Sequence, residues 1–317
     1  MPSDSSSDWP TPQDVCAPLT RSAIFLVLTL SEDGETATRD LLGDLAGLQR
    51  TVGFRSPSAR LGCVAGIGAR AWPRLFAGPP PSELHPFEGI AGRRHRAVST
   101  PGDLLFHIRA EEMDACFELA SLVVARLEGA AGVVDEVHGF RYFDERDLLG
   151  FVDGTESPTG ASALQAAVVG AEDAPFAGGS YVLVQKYLHD LAAWNAIPVE
   201  AQERAVGRTK LSNVELDEES KPADSHVALN AVTDAAGRPL QIVRANMPFG
   251  RLGAGEYGTY FIGYCRTPKV LEQMIGNMFL GRTEGSPDRI LDYSTPVTGT
   301  MFFAPSADLL DDLPPPA

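Results

Sequence analysis

The order of apolar segments constrains this chain most. In the first half an unbroken apolar run at 23–30 (AIFLVLTL) precedes a stretch, 36–52, in which Leu41, Leu42, Leu45 and Leu48 recur at helical spacing. A glycine-punctuated apolar run follows at 61–67, then a strand at 103–110 (DLLFHIRA), an amphipathic helix at 111–127 and a further strand at 133–143. This β-α-β, β-α-β order predicts a ferredoxin-like unit, an antiparallel sheet of four strands with two helices on one face. The second half repeats it more loosely. Strands are expected at 180–187, 241–246, 257–264 and 298–303, helical turns at 190–194 and 199–206, a polar acidic loop at 210–225, and a helix opened by proline at 268–280. We therefore expect an α+β protein of two ferredoxin-like domains, 21–147 and 148–310, with a disordered arm at 1–20 and a tail at 311–317. Two such sheets must bury their open faces, and a crevice between them is the expected place for a ligand.

Composition narrows the function classes. The formal net charge of −16 argues against nucleic acid or an anionic membrane as partner, since both need a basic surface. The four cysteines are scattered and make no Cys-x-x-Cys pair, which argues against a zinc ribbon or thioredoxin-like chemistry. Cys63, Cys116 and Cys265 lie in apolar runs and read as reduced core residues, as in a cytoplasmic protein. The first 14 residues lack the basic and apolar regions of a signal peptide, and no apolar run approaches membrane-spanning length.

Three stretches could carry chemistry. The turn at 150–158 (GFVDGTESP) holds Asp153 between small and apolar neighbours; by residue type alone it is equally a linker whose aspartate caps a turn. His226 follows the acidic loop and opens an apolar stretch, which suits one axial metal ligand or a structural histidine. In the run 242–250 (IVRANMPFG) an extended backbone puts Arg244 and Asn246 on one face, a preorganised donor pair, or else an arginine paired with a surface carboxylate. No pair of histidines has the His-x-x-x-His spacing of a helical zinc site, and neither a P-loop nor a Gly-x-Ser-x-Gly elbow is present.

Taken together, Asp153 in Gly-Phe-Val-Asp-Gly-Thr-Glu, His226 in Ser-His-Val and Arg244 two residues before Asn246 resemble the dye-decolourising haem peroxidases, most closely the B-type subfamily. The stretches 134–143 (VDEVHGFRYF), 207–210 (GRTK) and 257–261 (YGTYF) support the resemblance, which runs from about residue 23 to residue 306. It implies haem b in the C-terminal domain, with His226 as the axial ligand to iron. Asp153 and Arg244 flank the distal face with Asn246 beside them. Arg208 meets a haem propionate, and Asp288 accepts the second imidazole N–H of His226. The implied reaction is reduction of hydrogen peroxide through a ferryl intermediate and one-electron oxidation of dyes, phenols or other small reductants.

The resemblance also implies a homo-oligomer. Some B-type relatives enter an encapsulin shell through a longer tail; the short 311–317 segment gives that partner no support. Ser157 departs from an asparagine common among relatives and is expected to alter only the turn. Two other readings compete. A haem-handling protein would use the same histidine but needs no distal acid–base pair. A ferredoxin-like binding module would need no haem at all.

Overall fold

The computed structural model describes residues 9–282 and 285–317. In the N-terminal half the strands are β1 (Ser22–Leu30), β2 (Gly62–Gly68), β3 (Leu104–Ala110) and β4 (Ala131–Phe140), with helices α1 (Glu35–Gly53) and α2 (Met113–Arg126). The C-terminal half contributes β5 (Ser180–His189), α3 (Val199–Val206), α4 (His226–Asn230), β6 (Val243–Arg244), β7 (Met247–Arg251), β8 (Glu256–Cys265), α5 (Pro268–Leu280), β9 (Ser294–Pro296) and β10 (Thr300–Ala304). Each half has the ferredoxin-like order expected of it: β4-β1-β3-β2 in the first, β7-β8-β5-β10 in the second, all pairs antiparallel.

The two sheets are joined at both edges. Phe249 of β7 pairs with Gly139 of β4, and Phe302 and Phe303 of β10 pair with Gly68 and Ile67 of β2. With β8 also pairing β5, eight strands close on themselves, while β6 and β9 extend the sheet to ten. Closure hides edges that would otherwise expose unpaired N–H and C=O groups.

The crevice expected between the sheets is filled. Phe25, Val27, Leu105, Val182, Met247, Tyr260, Ile262 and Phe302 pack there, with Phe25 stacked between Tyr260 (4.2 Å) and His107 (4.8 Å). Burial drives the His107 imidazole well below its ordinary pKa, with Arg109 adding to the effect, and its Nδ1 bonds the Tyr264 hydroxyl at 2.7 Å. It is a satisfied core histidine. The helices cover the outer faces and enclose a second apolar core, in which α1 and α2 back the N-terminal sheet and α5 backs the C-terminal one. The space between the sheets therefore leaves no room for a ligand at its packed centre.

The N-terminal arm differs from expectation. Residues 12–20 are packed: Val15 is buried, and Gln13 accepts the N–H of Ala65 while donating to the carbonyls of Ala65 and Pro305. Residues 1–8 lie outside the described residues. The tail is also held, because Arg39 donates to the carbonyl of Pro314 at 2.8 Å. Among the described residues no helix is long and apolar enough to cross a membrane.

Candidate active site

Alternation along residues 243–247 decides which side chains are available. Val243, Ala245 and Met247 enter the inter-sheet core, so Arg244 and Asn246 project from the opposite face. Asn246 is fixed at both ends of its amide: Oδ1 accepts the N–H of Ile262 at 3.0 Å, and Nδ2 donates to Asp153 Oδ2 at 2.9 Å. Because a backbone N–H can only donate, this assigns the orientation of the amide. The other carboxylate oxygen of Asp153 accepts the Gly154 N–H at 2.6 Å.

Asp153 stands on a small hairpin. Arg146 bridges Tyr142 and Val152, and the Asp153 N–H donates to the carbonyl of Glu145 at 2.9 Å. The Arg146 guanidinium clamps the turn from outside, donating to the carbonyls of Gly150 (2.9 Å) and Lys210 (2.6 Å). Gly150 and Gly154 have φ of +92° and +76°, a region open to glycine at no cost. A Cβ at Gly154 would meet nothing within 4 Å, so backbone conformation and not crowding calls for glycine there. Sequence reasoning missed Asp147, six residues earlier. Burial pushes its carboxyl up to about 7, and the charge of Asp153 adds to the shift against the N–H of Phe151, which it accepts at 3.0 Å. Nothing in the local pattern distinguished it from a loop aspartate.

Arg244 is half-buried, and its guanidinium has no hydrogen bond or ion pair among the described residues. Asn246 and Gly154, and not Arg244, hold the Asp153 carboxylate. Ser157 does more than shape its turn, since its hydroxyl accepts the Arg244 N–H at 3.2 Å.

His226 opens α4, which docks on α5 through Asn277 Nδ2 donating to the Leu229 carbonyl at 2.9 Å. Its Nδ1 lies 2.7 Å from Oδ2 of Asp288, a residue with no exposed surface, whose Oδ1 accepts the Ile290 N–H at 3.0 Å. Burial opposes charging of this imidazole, but the Asp288 carboxylate outweighs it and holds the pKa above the ordinary value. The charge of Arg244 lowers the His226 pKa and that of Asp153 raises it, both by less than Asp288 does.

Arg208 is paired within the protein: Nη1 donates to Glu156 at 3.0 Å, and Nε and Nη2 donate to Asn213 at 3.0 and 2.9 Å. It ties the loop at 213 to the turn that carries Asp153. Two of its five N–H donors are left.

This donor set fits an iron porphyrin. With Nδ1 taken by Asp288, the lone pair of Nε2 is the one His226 offers to a metal, and Nε2 has no protein partner among the described residues. The uncommitted guanidinium of Arg244 and the spare donors of Arg208 suit an anionic group. Among the described residues no cluster of three or more His, Cys, Asp or Glu could hold a bare metal ion.

The chain is similar along nearly its whole length to known proteins. The model of the Dyp-type peroxidase N-terminal domain matches residues 12–141, and that of the C-terminal domain matches residues 144–309. The dye-decolorizing peroxidase of Mycolicibacterium paratuberculosis is 60% identical over 304 residues, covering 96% of this chain and 86% of the relative. The encapsulated DyP-type peroxidase from Mycobacterium smegmatis superposes with a TM-score of 0.96 at 58% identity, covering 97% of this chain and 100% of that one. DypB from Rhodococcus jostii RHA1 gives 0.93 at 53% identity, covering 95% and 97%, and a variant of it is described in complex with heme.

Proposed function

This chain belongs to the Dyp-type peroxidase family, and from that premise we propose that Asp153, Arg244, Asn246 and His226 are the residues that serve its haem in reducing hydrogen peroxide. The family makes it a haem-dependent peroxidase that oxidises a second, small reductant. One observation carries the assignment of residues: an uncommitted arginine lines one cleft with a carboxylate locked by an asparagine, and a histidine of the same half has one ring nitrogen held by a buried aspartate and the other without a protein partner among the described residues.

Haem b would be held through His226 and would supply an iron centre able to take two oxidising equivalents from peroxide. Asp153 would take a proton from one peroxide oxygen and deliver it to the other, which would leave as water. Arg244 keeps its charge at any working pH and stabilises the negative charge that develops as the O–O bond breaks. Asn246 holds Asp153 in register. Asp288 draws on the Nδ1 proton of His226, which makes the ligating nitrogen more basic and favours O–O cleavage. Arg208, which is also 3.7 Å from Glu215, would have two N–H donors left for a propionate.

A haem carrier needs no carboxylate locked by an asparagine beside an uncommitted arginine, which argues for the peroxidase reading of the site. The division into an N-terminal half, 21–147, and a haem-binding half, 148–310, accords with the two ferredoxin-like strand orders. Assembly into a homo-oligomer is tested by light scattering on the purified protein. A mass that is a multiple of 33.8 kDa is expected.

The test of the whole reading is a visible spectrum of the haem-loaded protein before and after one equivalent of peroxide. The Soret band is expected to shift and then to return when a dye is added, with the dye bleached in proportion. A static spectrum and unbleached dye would leave only the carrier reading.

Two smaller effects are expected. Asn246→Ala frees Asp153 and strands the N–H of Ile262, a fully buried residue, so urea denaturation should show a loss of about 1–3 kcal/mol. Asp288→Asn removes the charge behind His226, and titration with haem should show affinity lower by about 10–100-fold. Unchanged haem affinity would mean that Asp288 serves the fold alone.

A further inference from the structure

A third apolar core, small and separate from the two large ones, holds none of the groups given a part in the chemistry. Leu149, Phe151 and Trp194 are buried in it, α3 lies behind them, and Ile290 and Tyr293 pack against it. Three segments far apart in the chain meet there. Leu149 and Phe151 belong to the small hairpin that carries Asp153. Ile290 and Tyr293 belong to the turn that follows Asp288. Trp194 comes from the helical turn Leu191–Ala196 and touches both of the others.

Trp194 has no exposed surface, and its contacts run both ways. Toward the hairpin, its indole Nε1–H donates to the Leu149 carbonyl at 2.9 Å, and its ring lies 6.1 Å from that of Phe151. Any apolar ring could fill this space; the N–H is what ties the ring to the hairpin backbone. Toward the turn, its ring lies 5.1 Å from that of Tyr293, and the N–H of Asp190, at the head of the Trp194 turn, donates to the Tyr293 carbonyl at 2.8 Å. Gln202 of α3 donates to the Trp194 carbonyl at 2.8 Å and accepts Lys210 Nζ at 2.6 Å. The steps from this core to the site are short. Phe151 is two residues before Asp153. Ile290 packs its side chain against the core and gives its N–H to Asp288 Oδ1 at 3.0 Å. Close-packed interiors transmit strain, so a shift of the indole is felt by both neighbours.

We propose that Trp194 is a positioning residue for two groups of the site at once: through Leu149 and Phe151 it sets Asp153, and through Tyr293 and Ile290 it sets the Asp288 carboxylate that holds His226. The proposal rests on the roles given above to Asp153 and Asp288. Trp194 itself takes no part in the chemistry. The carboxylate that moves the proton and the carboxylate behind the ligating imidazole are thereby fixed to one support, and a change in that support alters both.

The test compares Trp194→Phe, which keeps a ring and removes the N–H, with Trp72→Phe, the same change at a buried tryptophan of the large outer core. Haem affinity is read by titration and the reaction with peroxide by stopped flow. Trp194→Phe is expected to slow the reaction by about 10–100-fold and to weaken haem binding by about threefold or more. Trp72→Phe should change neither, whatever it costs in stability. Gln202→Leu, which cuts the bond to the Trp194 carbonyl and leaves the indole in place, should show both losses in smaller measure. Added to Asp153→Asn, Trp194→Phe should slow the peroxide reaction no further; added to Asp288→Asn, it should weaken haem binding no further, because the group it positions is already gone. Parent-like values in Trp194→Phe and Gln202→Leu, losses that add in full to those of the aspartate variants, or equal losses in Trp72→Phe overturn the proposal. A loss on one side only overturns the joint support. A parent-like rate in Asp153→Asn alone refutes the role of Asp153 instead, a result distinct from a slow Asp153→Asn beside a parent-like Trp194→Phe.

Discussion

Replacing His226 by alanine is expected to abolish stoichiometric haem binding and with it all peroxidase turnover. The reason is chemical: Nε2 of His226 is the lone pair that remains once Asp288 has claimed Nδ1. Alanine would also leave the Asp288 carboxylate, with no exposed surface, short of its partner. Removing one partner of a buried charged pair can cost about 3–5 kcal/mol, so loss of haem could follow from partial unfolding. His226→Gln separates the two, because its amide can still donate to Asp288 but is a poor ligand to iron. Both variants should show a haem content near zero by pyridine haemochrome assay, and His226→Gln should keep the parent's circular dichroism. A full Soret band in either variant would refute the ligand assignment.

The second large effect concerns the distal pair. Arg244→Leu is expected to keep haem and to slow the reaction with peroxide by about 10²–10³, the usual cost of removing one preorganised donor from a developing charge. Asp153→Asn should fall by about 10²–10⁴, the range for losing a positioned acid–base group. The bond from Asn246 to Asp153 sharpens this expectation. An asparagine at 153 presents either an oxygen to Asn246 Nδ2 or a clashing NH₂, so it preserves position at best and never basicity. Stopped-flow mixing with peroxide measures both rates. Parent-like rates in both variants would remove Asp153 and Arg244 from the chemistry, while a loss confined to one would say which of them carries the O–O cleavage.

Much of the fold was legible because burial writes itself into local pattern. Strands at 22–30, 104–110 and 256–265 and the helix at 268–280 lie within a few residues of their expected bounds, since each buries a continuous apolar face. The strand at 247–251 and the helix at 160–167 were not anticipated. The first carries proline and glycine, and the second is too short to show a period. The arm at 12–20 read as disordered because its composition is polar, yet Gln13 is held by three backbone bonds that no composition reveals. Arg208 was assigned by resemblance to a propionate, and its bonds to Glu156 and Asn213 depend on loops that meet only in the fold.

What the sequence determined by itself was which residues could act. The alternation of strand side chains set Arg244 and Asn246 on one face, and the glycine turn singled out Asp153, because both signals are short-range. What only the tertiary structure decided was how those residues are used. Asn246 and not Arg244 holds Asp153, Ser157 reaches the Arg244 backbone, and Asp288 meets His226 across 62 residues of chain. Edge-to-edge closure of the two sheets filled the crevice between them. Those outcomes depend on hydrogen bonds between backbone edges and between groups distant in the chain, and such bonds leave no period or motif in the sequence that makes them.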